Sequence, residues 1–465
     1  MIHELGEKFT DIFKKNMPDA FVFALILTLI TGIGAWLWVG VTPLVIIESW
    51  YNGFWMLLEF GMQMVLLIIT GYSIALSPLL SRGIDRSSRF IRTPKQVYLF
   101  IILIGILLTL VSWGWVVITA VLAKELAKRI KGVNYLYLIA CVYLSSGAWV
   151  AGLSSSIPLL LNTENNFMIR GEVLSETMPT TDTLGSYLNY AIIIVFIILI
   201  PGLMVLLMPK NNKGKELSEL IGEEKGIDEG TIEEEAQSLK LPFRAVSDKL
   251  NNSVVLQYLI ALMGLFYIGY HFISKGFDLN LNIMIFIFVI LGLILHKTPI
   301  RFGISMKRAS GNISGILFQY PFYAGIMGIM IYTGLGEKLA DWMASVATIE
   351  TYPFFAYVTG GFVNFAIPSA GGEFAVVGPS IINAVKEIGA GLPDEQVKAM
   401  ISRAVLSIAY GESLSNLLQP FYLLLIIPVM GAGIKLQARD IMGYLVIPFI
   451  ILFIIESILV LWMPL

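Results

Sequence analysis

Apolar residues in this chain gather into long runs separated by short polar stretches. A helix needs roughly 20 apolar residues to cross the hydrocarbon of a bilayer. Runs near that length occur at 21–39, 55–77, 97–122, 135–161, 187–208, 254–273, 281–295, 313–332, 354–385, 399–433 and 441–462. The first follows Lys8, Lys14 and Lys15. It is longer than a signal-peptide core and lacks a small-residue cleavage site, so it reads as a retained span.

Lys and Arg in short loops set sidedness. Loop 79–96 holds Arg82, Arg86, Arg89, Arg92 and Lys95, and loop 123–134 holds Lys124, Lys128, Arg129 and Lys131. These basic loops flank one apolar run, 97–122. A run that crossed would leave one of them outside, so the pattern predicts a re-entrant hairpin bent at Ser112-Trp113-Gly114-Trp115. The remaining loops then alternate. Loops 40–54, 162–186 and 333–353 have at most one Lys or Arg each and read as outside; 209–253 and 296–312 are basic and read as inside. The run 354–385 is broken by Pro368-Ser369-Ala370-Gly371-Gly372 and reads as a second hairpin. The run 399–433 contains Gly411 and Pro420 and reads as a broken span ending inside near Lys435.

The expected fold class is therefore an all-α polytopic membrane protein: about nine transmembrane helices, two re-entrant hairpins and two broken helices, with the N-terminus inside. Its parts are an N-terminal segment 1–18, a first membrane repeat 19–208, a polar loop 209–253, a connecting span and loop 254–280, and a second repeat 281–465. The acidic run Glu233-Glu234-Glu235, with Glu223, Glu224, Asp228 and Glu229, reads as a solvated surface helix or linker.

Composition agrees. Hydrophobic residues make up 57%, charged residues 14%, and mean hydropathy is +0.79. Soluble domains carry about a quarter charged residues, so a soluble enzyme, a disordered chain and a nucleic-acid binder are excluded. Net charge is −2. The single cysteine, Cys141, allows no disulfide within the chain, and His3, His271 and His296 are too scattered for a metal cluster. No phosphate-binding G-x-x-x-x-G-K-[ST] string occurs. No cofactor is expected, and no metal beyond a coupling Na⁺.

Landmarks recur at a nearly constant spacing. Gln319 follows Gln63 by 256 residues, the bend at Asn364 follows that at Ser112 by 252, and Pro420 follows Pro158 by 262. Each half reads span, span, hairpin, broken span, span, and the halves begin on opposite sides. Inverted repeats with interrupted helices recur among secondary transporters, whose sites lie between the halves.

Interrupted backbone inside a membrane must face protein or a water-filled cavity. Half-helix N-termini suit a carboxylate, and half-helix carbonyl ends suit a cation. The interruptions here are rich in small polar side chains and glycine. The candidate binding residues are Ser112, Trp113 and Gly114; Ser154, Ser155 and Ser156; Asn364, Ser369, Gly371 and Gly372; and Glu412, Ser413, Ser415, Asn416 and Gln419. Glu412 and Glu373 are candidate proton or cation carboxylates, because charge inside a bilayer is costly and faces a cavity or partner. Glu59 and Glu456 read as lying near span ends or lipid and are set aside. Trp36, Trp38, Trp50 and Trp55 read as an interfacial belt.

Several of these segments resemble the bacterial short-chain fatty acid transporter family, which takes up acetoacetate and butyrate. They include Asn16-Met17-Pro18-Asp19, Asn52-Gly53-Phe54-Trp55, Phe60-Gly61-Met62-Gln63-Met64, Trp113-Gly114 and His296-Lys297-Thr298-Pro299. Pro321-Phe322-Tyr323-Ala324-Gly325, Asn364-Phe365-Ala366-Ile367-Pro368-Ser369, Ala409-Tyr410-Gly411-Glu412, Gln419-Pro420-Phe421 and Asp440-Ile441-Met442-Gly443-Tyr444 continue the resemblance along nearly the whole chain. The family is similar to ion-transporter-type carriers, which implies a homodimer and a transport domain sliding against a fixed scaffold.

The expected function is secondary active transport of a short-chain monocarboxylate across the bacterial inner membrane, coupled to H⁺ or Na⁺, with no nucleic-acid partner. A carrier of dicarboxylates or other small organic anions is the nearest alternative. It would need more positive charge than the apolar runs contain. An intramembrane enzyme lacks its H-E-x-x-H or G-x-S-x-G string, and a channel would differ by not saturating.

Overall fold

The computed structural model describes residues 8–9, 11–12, 15–16, 18–79, 90–164, 166–209, 215–221, 231–241, 243, 245–276, 281–431, 434 and 436–465. Among the residues named above, His3, Lys14, Met17, Arg82, Arg86, Arg89, Glu223, Glu224, Asp228, Glu229 and Lys435 lie outside them, as does position 433.

The described chain is helical. In the first half, α1 (Ala20–Gly34) is capped by the Asp19 carboxylate, which accepts from the Phe21 N–H at 3.0 Å. It continues as a wider coil, Ala35–Val39, and stops at Gly40, where φ is +87°. Then come α2 (Pro43–Gly53) and α3 (Leu58–Ala75). Next, α4 (Pro94–Val111) starts at a Thr93/Gln96 capping box, and α5 (Val116–Arg129) folds back against it after a tight turn at Trp113–Trp115. Helix α6 (Tyr135–Ser146) narrows into Gly147–Ala151, breaks, and resumes as α7 (Ser156–Leu161). Span α8 (Tyr187–Leu207) closes the half.

A short acidic helix, α9 (Ile232–Ser238), and a long joining helix, α10 (Val254–Lys275), lead to the second half. This half comprises α11 (Leu281–His296), α12 (Pro299–Ala309), α13 (Ser314–Tyr332), α14 (Leu335–Ser345), α15 (Tyr352–Asn364), α16 (Ala370–Ile388), α17 (Asp394–Ser415), α18 (Leu423–Met430) and α19 (Val446–Trp462).

The two halves exchange partners. Helix α1 packs on α13 as α11 packs on α3, and α2 packs on α13 as α12 packs on α3. The second arm of each hairpin packs on the far side of the other half's break: α5 on α18, and α16 on α7. Such reciprocal contacts are those a two-fold between related halves produces, as expected of a repeat with interrupted helices.

Among the described residues, six helices are long and apolar enough to cross a membrane. The bent pair Asp394–Leu418 and Leu423–Met430, with axes 47° apart, makes a seventh. The seven include α4, read from the sequence as a hairpin arm, and leave out three of the nine expected spans: α3 and α11 contain only shorter apolar helices, Gly61–Ile74 and Asn282–His296, and α13 is not among the seven. Four further details differ from the pattern reading. Loops 40–54, 296–312 and 333–353 hold helices α2, α12 and α14, which their mixed polarity concealed. The basic loop 123–134 is largely the end of α5. Gly411 does not break its span; it lies within α17, where a Cβ would overlap the Tyr357 carbonyl oxygen, so it allows α15 and α17 to touch. The acidic run is not simply solvated: Arg308 donates to Glu235 Oε2 through Nε (2.8 Å) and Nη2 (2.5 Å), and Arg301 pairs with Glu233 at 3.3 Å. These pairs hold α9 on α12.

Candidate functional site

Each interruption leaves backbone groups without helical partners, and these must be satisfied inside the protein. The first hairpin turns where Ser112 is extended, and the Trp113 N–H at the turn donates to Ser154 Oγ at 2.8 Å. The Leu153 N–H donates to the Leu110 carbonyl at 2.7 Å. Tip and break of the first half are thereby joined. A Cβ at Gly152 would overlap the Leu110 carbonyl, so glycine permits this approach. Gly114 rests on Leu67, Ser155 is buried with no partner for its hydroxyl among the described residues, and Ser156 starts α7.

The second half is tied by amides. Asn364, at the end of α15, donates through Nδ2 to the Glu412 carbonyl (3.0 Å), Ser415 Oγ (2.7 Å) and Asn416 Oδ1 (2.7 Å). Gln419, in the break after α17, donates to the Asn364 carbonyl (3.2 Å) and Asn416 Oδ1 (2.8 Å). Ser415 Oγ donates to the Glu412 carbonyl at 3.0 Å. Ser369, Gly371 and Gly372 form the half-buried tip, and a Cβ at Gly371 would meet open space.

Contacts between the halves converge on the same region. Ser413 Oγ donates to the Gly147 carbonyl at 2.9 Å. Tyr143 of α6 donates to the Asn416 carbonyl at 2.5 Å. Tyr422, just past the second break, lies edge-to-face on Trp113 with ring centroids 5.6 Å apart, and its hydroxyl donates to the Pro368 carbonyl at 3.2 Å. One side chain therefore touches both hairpin tips. Phe421 stacks on Tyr320 of α13 at 4.7 Å and meets Tyr323 edge-on at 4.9 Å.

The sequence-selected residues are thus brought together, with Glu412 and Glu373 among them. Both glutamates are 0% exposed and interact electrostatically with one another and with Tyr422. Among the described residues, neither oxygen of the Glu373 carboxyl has a hydrogen-bond partner, nor do Asn364 Oδ1, Gln419 Oε1, Ser155 Oγ or the Tyr323 hydroxyl, and the Glu412 carboxyl has only the Asn416 side chain beside it. Buried polar atoms are normally paired, and each orphan costs about 1–3 kcal/mol. Their concentration at the tips and breaks supplies acceptors and donors for a small polar ligand or cation.

Three features escaped the pattern reading. Tyr143 and Tyr422 are flanked by apolar residues on either side of the breaks, where a phenol reads as bulk; the signal is the tyrosine cluster Tyr135, Tyr137 and Tyr143. Tyr135 donates to the Met430 carbonyl at 2.7 Å, and Tyr137 donates to that of Met204. Lys124, counted with a basic loop, is 5% exposed. Its Nζ donates to the Val429 carbonyl at 3.0 Å and lies 5.6 Å from the Tyr72 ring centroid. The core is therefore not free of positive charge. Lys386, 262 residues later, repeats the pattern in the other half by donating to the Val173 carbonyl at 2.5 Å. Glu456, set aside as peripheral, is 3% exposed and accepts from the Tyr357 hydroxyl at 2.9 Å. An α19 that is apolar all round gave no clue to which face met protein.

Hairpin tips and interrupted spans meeting inside an all-helical polytopic membrane protein are the construction of a transporter, and the known relatives are transporters too. A family model described as "Short chain fatty acid transporter" matches residues 1–463. Proteins of Haemophilus influenzae and Escherichia coli K12, each named "Putative short-chain fatty acid transporter", are 34% identical to it over 451 and 447 residues, covering 96% of each chain. The chain belongs to the short-chain fatty acid transporter family. Among solved structures, it overlaps the YdaH transporter of Alcanivorax borkumensis (15% identity, 97% of both chains, TM-score 0.41). It also overlaps MtrF of Neisseria gonorrhoeae, from a work on antimetabolite efflux pumps (15% identity, 97% of both chains, TM-score 0.40).

Proposed function

We propose that this protein is a secondary active transporter of short-chain monocarboxylates such as butyrate and acetoacetate, driven by H⁺ or Na⁺, in the bacterial inner membrane with its N-terminus inside. The observation that carries this reading is the position of Tyr422, whose ring contacts Trp113 while its hydroxyl reaches the Pro368 carbonyl. The aromatic rings of Trp113, Tyr422, Phe421 and Tyr320 that meet here would suit a short acyl tail. The carboxylate end meets the tip N–H groups and the hydroxyls of Ser155 and Tyr323. A coupled cation offsets the substrate's charge: a proton on Glu412 or Glu373, or Na⁺ among Asn364 Oδ1, Gln419 Oε1 and nearby carbonyls. The family's ion-transporter-type likeness supports a homodimer in which the hairpin-bearing unit moves against α1–α3 and α11–α13.

Singly charged substrates are favoured over dicarboxylates even with Lys124 buried, because its ammonium is engaged by the Val429 carbonyl. The test is uptake of labelled butyrate and acetoacetate into proteoliposomes, with H⁺ and Na⁺ gradients imposed separately. Saturable uptake driven by one gradient is the expected result. Absence of saturable uptake for every short monocarboxylate overturns the substrate assignment.

A further inference from the structure

One buried carboxylate takes no part in the tips. Glu456 lies midway along α19, with its Oε2 accepting from the Tyr357 hydroxyl at 2.9 Å. Tyr357 is itself packed against Phe453, with centroids 5.7 Å apart. Beside Glu456 is a cavity of about 10 Å³, bordered by Gly147, Phe196, Ser413 and Leu417, which is about the size of one water molecule. The cavity lies at the junction of four structural pieces: the narrowed end of α6, span α8, the end of α17, and α19.

The groups facing Glu456 do not neutralise it. Tyr357 of α15 and Tyr410 of α17 interact with it; the other titratable groups along the buried parts of these helices are Tyr352 on α15 and Arg403 and Glu412 on α17. Arg403 Nη1 donates to the Val460 carbonyl at 2.9 Å, and Tyr410 donates to Asn189 Oδ1 at 2.9 Å. Tyr187 and Tyr190 of α8 are exposed, and Tyr444 lies beyond the start of α19. Glu412, the neighbour of Ser413 in the chain, adds a second carboxyl rather than a cation. A carboxylate held here as an ion would have one phenol for a partner in a water-poor setting, an arrangement proteins avoid.

We propose that Glu456 is a proton-binding site separate from the Glu373–Glu412 pair, occupied while α15 and α17 are docked on α19. The ligand is H⁺ from water, and no other group changes bonding. Ser413 links the two: it lines the Glu456 cavity and follows Glu412 beside the second break. A shift of α17 against α19 therefore changes water access to Glu456 and the surroundings of Glu412 together.

The test uses the full chain in lipid and the infrared C=O stretch of protonated carboxyl groups, identified by its shift in D₂O. It is carried out in a Glu373→Gln/Glu412→Gln background, so it does not depend on transport or on the tips being the substrate site. The expected result is a carboxylic-acid band that survives in this background and disappears when Glu456→Gln is added. Tyr357→Phe should move its frequency, because the donor to Oε2 is gone, while Tyr323→Phe should not. Absence of the band in the background, or its persistence in the Glu456→Gln variant, overturns the proposal. If the Glu456→Gln variant fails to fold, the contrast between Tyr357→Phe and Tyr323→Phe decides: a band indifferent to Tyr357→Phe is not that of Glu456.

Discussion

Trp113 and Tyr422, 309 positions apart in the chain, lie edge-to-face with ring centroids 5.6 Å apart. The first belongs to the bend of one hairpin and the second to the break of the other half's interrupted span. Aromatic pairs of this geometry contribute about 0.5–1.5 kcal/mol beyond the area they bury. Replacing Tyr422 by Phe keeps the ring contact and removes only the bond to the Pro368 carbonyl. Tyr422→Phe is therefore expected to reduce uptake several-fold with little change in thermal stability, whereas Tyr422→Ala abolishes uptake. The two variants are compared by initial rates and by melting in detergent.

Gly411 and Gly371 make opposite predictions for the same substitution. A methyl at Gly411 meets the Tyr357 carbonyl where α15 and α17 touch, while one at Gly371 meets nothing. Gly411→Ala should lower stability by about 1–3 kcal/mol, as overpacking does, and should lower folded yield. Gly371→Ala should melt like the unaltered protein. Equal melting of the two variants would show that the close helix approach is not required.

Lys124 and Lys386 tie each hairpin's second arm to a carbonyl of the other half. Lys124→Met keeps the length of the side chain but leaves the Val429 carbonyl without this donor, so a loss of about 1–3 kcal/mol is expected. Because the contact is buried, the loss should be nearly independent of salt. A melting difference that disappears in high salt would contradict the buried placement.

The α9–α12 contact behaves differently. Ion pairs near the surface contribute about 0–1 kcal/mol, and Arg308 and Glu235 are half-buried, so Arg308→Ala should lower melting only slightly and leave uptake unchanged. It should release α9, raising tryptic cleavage at Lys240 several-fold. Unchanged cleavage would mean that the small apolar contact of Ile232, Ala236 and Ile304 holds the helix by itself.

The hairpins and breaks were legible in the sequence because Pro, Gly and clustered Ser or Asn interrupt otherwise apolar runs, and buried backbone cannot be interrupted without consequence. Offsets of 252 to 262 residues pointed to the repeat, and the exchanged packing of α1, α3, α11 and α13 agrees with it. What stayed hidden depended on direction. The apolarity of α19 is the same on every side, so it could not show that Glu456 faces Tyr357 rather than lipid. Lys124 reads as a loop charge in the sequence because the amphipathic end of α5 continues past the apolar run. Helices α2, α12 and α14 lie within short mixed segments, where periodicity has too few turns to stand out.

The central claim, that the two tips and two breaks form the substrate site, is tested most directly by counterflow. Proteoliposomes preloaded with unlabelled butyrate are given labelled butyrate outside, with no ion gradient, and the unaltered protein is compared with Asn364→Ala and Gln419→Ala variants whose folding has been verified by melting. The account predicts saturable accumulation of label by the unaltered protein and its loss in both variants. Counterflow of normal rate and affinity in both variants would contradict it.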